Sequence, residues 1–438
     1  MRLIKIGLTC LGVSVLSSVM TSQNVLANNQ SNISANKNYL IKNATLHTAT
    51  AKGKLNNADL LIRNGKIAQI GQNLTAGSNV KVIQAANKHV TPGLINASTN
   101  LGLVEISAVS STVDAATKMP GAGASFDIAA AINFRSTLIP QNRINGLTRA
   151  IVMPRSSNSI FAGQGAAIAL HSTMQGILSE NVLQAASYGA SGAGKSGGSR
   201  AAAMQKLAQA LEDARYLRKN ENRYLPGFKW EFSQSIADLK ALYPVLDKKI
   251  PLVISANRAD DILRLIQLAK THRFNLVISG GGEAWTVAKE LADAKVPVII
   301  DPIRNLPSFE SLSIRLDGAF KLYQAGVKLL FSGGGSHNAY LVRQSAGNAV
   351  AYGLPPEVAI EAMTINTAET FGIANYGQLE VGMDADVVVW DGDPLEVTSN
   401  PDVVFIQGQK QPLVSRATRL RDRYWELKGN HQQAFKRQ

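Results

Sequence analysis

The sequence predicts an α/β fold, a (β/α)8 TIM-type barrel inserted in a small β-sandwich that both ends of the chain build together. Short alternating apolar runs between turn signals cluster near the two termini, which predicts strands from both ends in one unit. Between them, apolar runs alternate with amphipathic helical segments about seven or eight times, the pattern of βα units on a parallel sheet. The 438 residues, 45% hydrophobic and only 17% charged, suffice for one large and one small well-packed domain. An open doubly wound sheet is the architectural alternative.

Residues 1–27 read as a cleavable signal peptide. Arg2 and Lys5 precede an apolar run from Ile6 to Val19, and Val25-Leu26-Ala27 supplies small residues for cleavage. Thr9, Ser14, Ser17 and Ser18 interrupt the run, which falls short of the roughly 20 apolar residues of a membrane span. A secreted or periplasmic protein with no membrane span after cleavage is expected. Cys10 is the only cysteine, so the mature chain is thiol-free, which suits an oxidising compartment. Cleavage after Ala27 lowers the net charge from +14 to +12, because Arg2 and Lys5 are the charges removed. The remaining basic charge is spread along the chain, which argues against nucleic acid as a partner.

Residues 39–92 and 375–415 are expected to form the sandwich. Tyr39 to Ala44, Ala58 to Arg63, Ile67 to Ile70 and Val80 to Gln84 read as strands, with Asn64-Gly65 as a hairpin turn. Asp386 to Trp390 and Val403 to Gln407 supply the distal strands. Residues 93–374 are assigned to the barrel. Its strands are expected at Leu94 to Ala97, Arg149 to Met153, Ala166 to Leu170, Leu252 to Ser255, Asn275 to Ser279, Val296 to Ile300 and Lys328 to Phe331. Helical periodicity covers Arg200 to Arg218, Ala259 to Thr271 and Glu283 to Ala294. Residues 416–438 form a basic, helical tail whose expected state is a solvated helix.

Gly189 to Ser196 satisfies the phosphate-loop pattern G-x-x-x-x-G-K-[ST], with Lys195 as the phosphate ligand. Its context argues against that reading. Asn181 to Tyr188 is neither strongly apolar nor β-branched, so no preceding strand is expected, and Gly197-Gly198 disfavours a helix starting at the lysine. Ser187 to Ser199 is expected to be a flexible loop, and nucleotide binding through residues 189–196 is a remote alternative.

Three stretches together carry a resemblance: Ala58 to Gly71 (ADLLIRNGKIAQIG), Val90 to Ala97 (VTPGLINA) and Gly377 to Pro394 (GQLEVGMDADVVVWDGDP). With Ala346 to Glu357 and Ala362 to Ala368, they resemble the amidohydrolase superfamily, closest to its imidazolonepropionase-like branch, from about Tyr39 to Tyr424. The resemblance implies metal-assisted hydrolysis of non-peptide C–N bonds, in which a divalent ion lowers the pKa of bound water and polarises the carbonyl. It also implies ligands: an H-x-H pair on the first barrel strand, histidines after the fifth and sixth, and an aspartate after the eighth.

The positions of this chain that match those ligands are Ser98 and Asn100, Ser255, Ser279 (or Gly280), and Gly334 (or Gly335). Hydroxyl and amide groups bind such ions weakly. No metal ligand and no cofactor is therefore expected, with zinc only if the site persists in altered form. These positions become candidates for contacting substrate in a pocket. His337, in the loop after the last strand, and Glu283, at the end of another, are the candidate catalytic residues, while Asp301 and Arg258 also end strands. The expected function is an exported, non-catalytic or weakly active homologue that binds a small ligand or amide substrate or pairs with a catalytically complete relative, and an oligomer is expected. The alternative is an active amidohydrolase on amide or dipeptide-like substrates with a displaced site.

Overall fold

The computed structural model describes residues 38–172, 176–223, 231–304 and 306–425. The proposed signal peptide and residues 426–438 of the basic tail lie outside the described residues.

The chain enters a sheet through β1 (Asn38–His47), β2 (Lys54–Arg63), β3 (Lys66–Gly71), β4 (Val80–Gln84) and β5 (His89–Pro92). β1 and β2 pair antiparallel, and β2 turns into β3 at Asn64-Gly65, both at positive φ, as a two-residue hairpin of this kind requires. β1 branches the sheet. Its first half takes β4 and its end takes β5, both parallel. Leu40, Ile41, Leu60 and Ile62 are fully buried, consistent with a layer covered on both faces.

At Gly93 the chain passes from this sheet into the barrel. A Cβ there would lie 2.1 Å from the Thr148 hydroxyl, so the Pro92-Gly93 junction needs a residue without a side chain. The barrel strands follow in spatial and sequence order: β6 (Leu94–Thr99), β7 (Leu147–Val152), β8 (Phe161–Ala169), β9 (Ile177–Ser187), β10 (Leu252–Ala256), β11 (Leu276–Gly280), β12 (Val298–Ile300) and β13 (Leu329–Phe331). β13 packs beside β6 and brings the ends of the sheet together. Ile95, Ala97, Ile151, Leu183, Val253, Val277, Ile299 and Leu330 fill the interior. Helices Arg200–Lys219, Ala259–His272, Gly318–Gln324 and Val342–Ala351 are among those that cover the outside.

β8, expected as one more parallel unit, runs antiparallel between β7 and β9. The reason is loop length. Residues 153–160 and 170–176 are too short for the dozen-residue crossover that a parallel pairing needs, so the chain folds back as hairpins. β9 itself overturns the expectation that residues 181–188 are not a strand. Val182, Leu183, Ala185 and Ala186 are buried between β8 and β10, and barrel packing overrides their weak strand propensity. Nor is the Gly/Ser-rich stretch a loop throughout, since Gly189–Gly194 is helical.

After the barrel, β14 (Val387–Trp390), β15 (Pro401–Ile406) and β16 (Gln409–Lys410) return to the first sheet, where β14 pairs antiparallel with β5. Arg149 on β7 locks the two units together. It is 2% exposed, donates to Asp386 at 3.0 and 3.2 Å and to Asp384 at 2.8 Å, and stacks 4.0 Å over the Tyr376 ring. Burial opposes the guanidinium charge, yet the two carboxylates hold its pKa above the ordinary value. No helix among the described residues is long and apolar enough to cross a membrane.

Candidate functional site

The C-terminal ends of the barrel strands surround a cavity of about 770 Å³, where barrel enzymes gather their reacting groups. Ser98, Asn100, Ser279 and Gly334 line it; Ser255, Glu283 and His337 are not among its lining residues.

The strand ends are held by amide side chains. Asn96, wholly buried on β6, donates to the carbonyls of Gly333 and Ala339 at 2.9 and 2.8 Å, and so ties the first barrel strand to the loop after the last. Its Oδ1 accepts the Ser98 N–H at 3.0 Å. Asn100 donates to the Met153 carbonyl at 2.7 Å and accepts from Arg155 Nε at 2.6 Å, which places that guanidinium at the rim. Asn257, after β10, accepts the Gly282 N–H at 3.2 Å and fixes the turn through Gly280-Gly281. Gly334, at φ +65°, comes so close to Asn338 that a Cβ would sit 2.1 Å from its carbonyl oxygen.

The candidate catalytic residues fall elsewhere. Both carboxylate oxygens of Glu283 accept backbone N–H groups, from Ala259 and Ser313, each at 3.1 Å. The side chain thus caps helix Ala259–His272 and pins the segment before Asp317. His337 is exposed on the short, kinked 3-10 segment Ser336–Leu341. None of the five histidines among the described residues lines the cavity.

Asp301, directly after β12, is the one carboxylate among the lining residues. Burial raises its pKa, opposed by the Ser345 hydroxyl at 2.8 Å and the Ile303 N–H at 3.3 Å. Arg155, Arg304 and Arg315 also line the cavity, with Arg315 5.0 Å from the Trp285 ring. Position after a strand end signals Arg155 and Asp301 in the sequence, but only the folded loop brings Trp285 and Arg315 to them.

These residues do not fit a divalent ion. The matched positions offer hydroxyls, an amide and glycines, and among the described residues no three His, Cys, Asp or Glu side chains are placed to share a metal. The phosphate-loop motif is also spent. A strand does precede it, but the N–H groups of Gly192, Lys195 and Ser196 bond within the segment, that of Ala190 bonds Glu310, and Lys195 Nζ bonds the Ser191 hydroxyl at 2.7 Å.

The Amidohydrolase family matches residues 254–414, from β10 through the return strands. A crystal structure of an amidohydrolase from Thermotoga maritima MSB8 superposes with a TM-score of 0.75 at 25% identity, covering 86% of this chain and all of the other. The chain belongs to the amidohydrolase superfamily.

That membership supports hydrolase chemistry. Two further solved structures share the fold. A prolidase complexed with N-methylphosphonate-L-proline has a TM-score of 0.52 at 16% identity, with 86% of this chain and all of that one covered. Molinate hydrolase has 0.54 at 14%, with 92% and 99% covered. Among curated proteins, an amidohydrolase (tasK) of Hapsidospora irregularis is 41% identical over 75 residues, or 17% of this chain. A 5-methylthioadenosine/S-adenosylhomocysteine deaminase of Caldicellulosiruptor saccharolyticus is 40% identical over 67 residues, or 14% of this chain. The matches span 8% and 16% of those two relatives.

Proposed function

We propose that this superfamily member binds a small, carboxylate- or amide-bearing ligand at the barrel mouth without performing metal-assisted hydrolysis. The donor set carries the reading. Hydroxyls, an amide and glycines stand where the resemblance requires histidines and an aspartate, and Arg155, Arg304 and Arg315 leave the lining net positive around Asp301. Guanidinium groups at a pocket rim suit a carboxylate in the ligand, through paired N–H donors. The glycine turns let a ligand approach the backbone closely.

The proposal includes export by residues 1–27, a place in the imidazolonepropionase-like branch, and pairing with a catalytically complete homologue or self-association. Leu306, Phe309 and Leu312, 81%, 96% and 67% exposed on the loop beside the cavity, supply apolar surface for such a contact. Elemental mass spectrometry after dialysis of the mature protein against trace zinc and manganese tests the core of the reading. Metal far below one equivalent is expected, and near-stoichiometric metal overturns it. A thermal-shift screen of N-acyl amino acids and dipeptides should then reveal a stabilising ligand.

Asp301 favours a second reading, a metal-independent hydrolase with a displaced site. A carboxyl whose pKa is raised by burial, lining a cavity, is the kind of group that general acid–base catalysis uses. Asp301→Asn should leave amide turnover at background under the first reading and abolish a measurable rate under the second.

A further inference from the structure

At the opposite end of the barrel, a second cavity of about 640 Å³ lies between helix Leu138–Arg143, the chain leaving β8 and helix Arg416–Trp425. Arg135, Arg143, Arg416, Arg419 and Arg423 line it together with His171, and among the described residues no aspartate or glutamate does. Arg416, Arg419 and Arg423 fall at i, i+3 and i+7, so one face of the terminal helix presents all three. Like charges three and four residues apart on one helix face repel one another slightly, and an anion between them and the barrel would relieve that repulsion.

Arg143 is the decisive residue. It is 3% exposed, its Nη1 donates to the Leu170 carbonyl at 3.0 Å, and its Nε has no partner. Burial lowers its pKa to about 10. The other deeply buried guanidinium, Arg149, is met by two carboxylates, whereas Arg143 has none among the described residues. A buried cation without a counter-charge is costly, and an unpaired donor adds to that cost. His171 repeats the pattern. Its Nε2 meets the Gln407 side-chain oxygen at 2.9 Å, and its buried Nδ1 has no partner.

We infer that this cavity is a binding site for a phosphate group, with Arg143 at its base and the terminal helix closing over it. Planar guanidinium forks match phosphate oxygens, and several of them around one void favour a dianion over a carboxylate. Phe134, Ile139 and Leu420 share the lining, and the volume lies in the range of small-molecule sites, so an organic phosphomonoester fits as well as the free ion. Helix Arg416–Trp425 thereby acquires a ligand-closing role in place of a solvated one.

The test is isothermal titration of the full chain with inorganic phosphate and, separately, with phenyl phosphate, at constant ionic strength in chloride. Saturable binding is expected to both. Tighter binding of phenyl phosphate identifies an organic monoester as the ligand class, and equal affinities identify free phosphate; either supports the site. R419Q/R423Q, on an exposed helix face, should weaken binding about tenfold or more. Arg421→Gln is the control on the same helix, since Arg421 is outside the lining and pairs with Asp422. Arg143→Gln should abolish binding, with circular dichroism checking its fold. No heat above the chloride control, an unchanged affinity in R419Q/R423Q, or an equal loss in R421Q overturns the inference.

Discussion

Replacing Arg149 by methionine should destabilise the protein by about 3–5 kcal/mol, because it strips a buried ion network of its cation and leaves the anions in place. Asp386 is 1% exposed at the side chain and takes two of the three hydrogen bonds from Arg149. Without the guanidinium it keeps only the Gln407 N–H at 2.9 Å. Asp384 fares better, since it is 16% exposed and retains Lys66 Nζ at 2.6 Å. The cost therefore centres on Asp386. It is offset in part by methionine packing on Tyr376, and the double variant R149M/D386N should recover a substantial part of the loss by removing the stranded charge. Urea denaturation followed by tryptophan fluorescence measures both, because Trp390 on β14 reports the joint between sheet and barrel. A midpoint change in R149M worth under about 1 kcal/mol, or a double variant no better than the single, would refute the claim that this network holds the two units together.

Other expectations follow from specific contacts. Burial first, and then His47, lower the pKa of His89, with Asp393 and Glu357 opposing and Lys54 assisting. Its neutral form is thus the native one: this contribution is full above about pH 6.5 and is lost as pH falls through the lowered folded value, because the unfolded chain takes the proton first. Urea midpoints at about pH 7.5 and 5.5 should converge in His89→Gln relative to the unmodified chain, and an equally steep loss in the variant would contradict this. Gly163→Ala should cost more than about 1–3 kcal/mol, since φ is +126° and the new Cβ would lie 2.3 Å from the Phe126 carbonyl. Gly53→Ala, at φ +61° with nothing within 4 Å, should cost only about 1 kcal/mol, and equal melting temperatures for the two variants would show that the close approach is not decisive. Asp301→Asn should be neutral or slightly stabilising at neutral pH, because a carboxylate whose folded pKa is raised disfavours the native state there and ceases to do so as pH falls; a marked drop in the urea midpoint would contradict this.

Local signals made much of the scaffold legible. Asn64-Gly65 fixes its hairpin because positive φ at two successive residues is a local requirement. Pro92-Gly93 marks the step into the barrel, although Gly93 is required there by the approach of Thr148 and not by its backbone angle, and the periodicity of Ala259 to Thr271 gives a helix that the structure extends by one residue, to His272. Ser98, Asn100 and Gly334 were picked out by their place in the strand order, and the fold puts all three around one cavity.

What the sequence alone determined is the α/β class, the alternation of strands and helices in the middle of the chain, and the shared sheet of the two ends. Tertiary structure decided the rest. The reversal of β8 depends on which strands it reaches after its short connections, and the strand character of Ile177–Ser187 comes from neighbours on both sides. The role of Glu283 as a double backbone cap depends on Ser313, thirty residues away. The desolvation of Asp301, and the stranding of Arg143 without a carboxylate, arise from the packing of residues far apart in the chain. Such properties belong to an environment, and an environment exists only once the chain has folded.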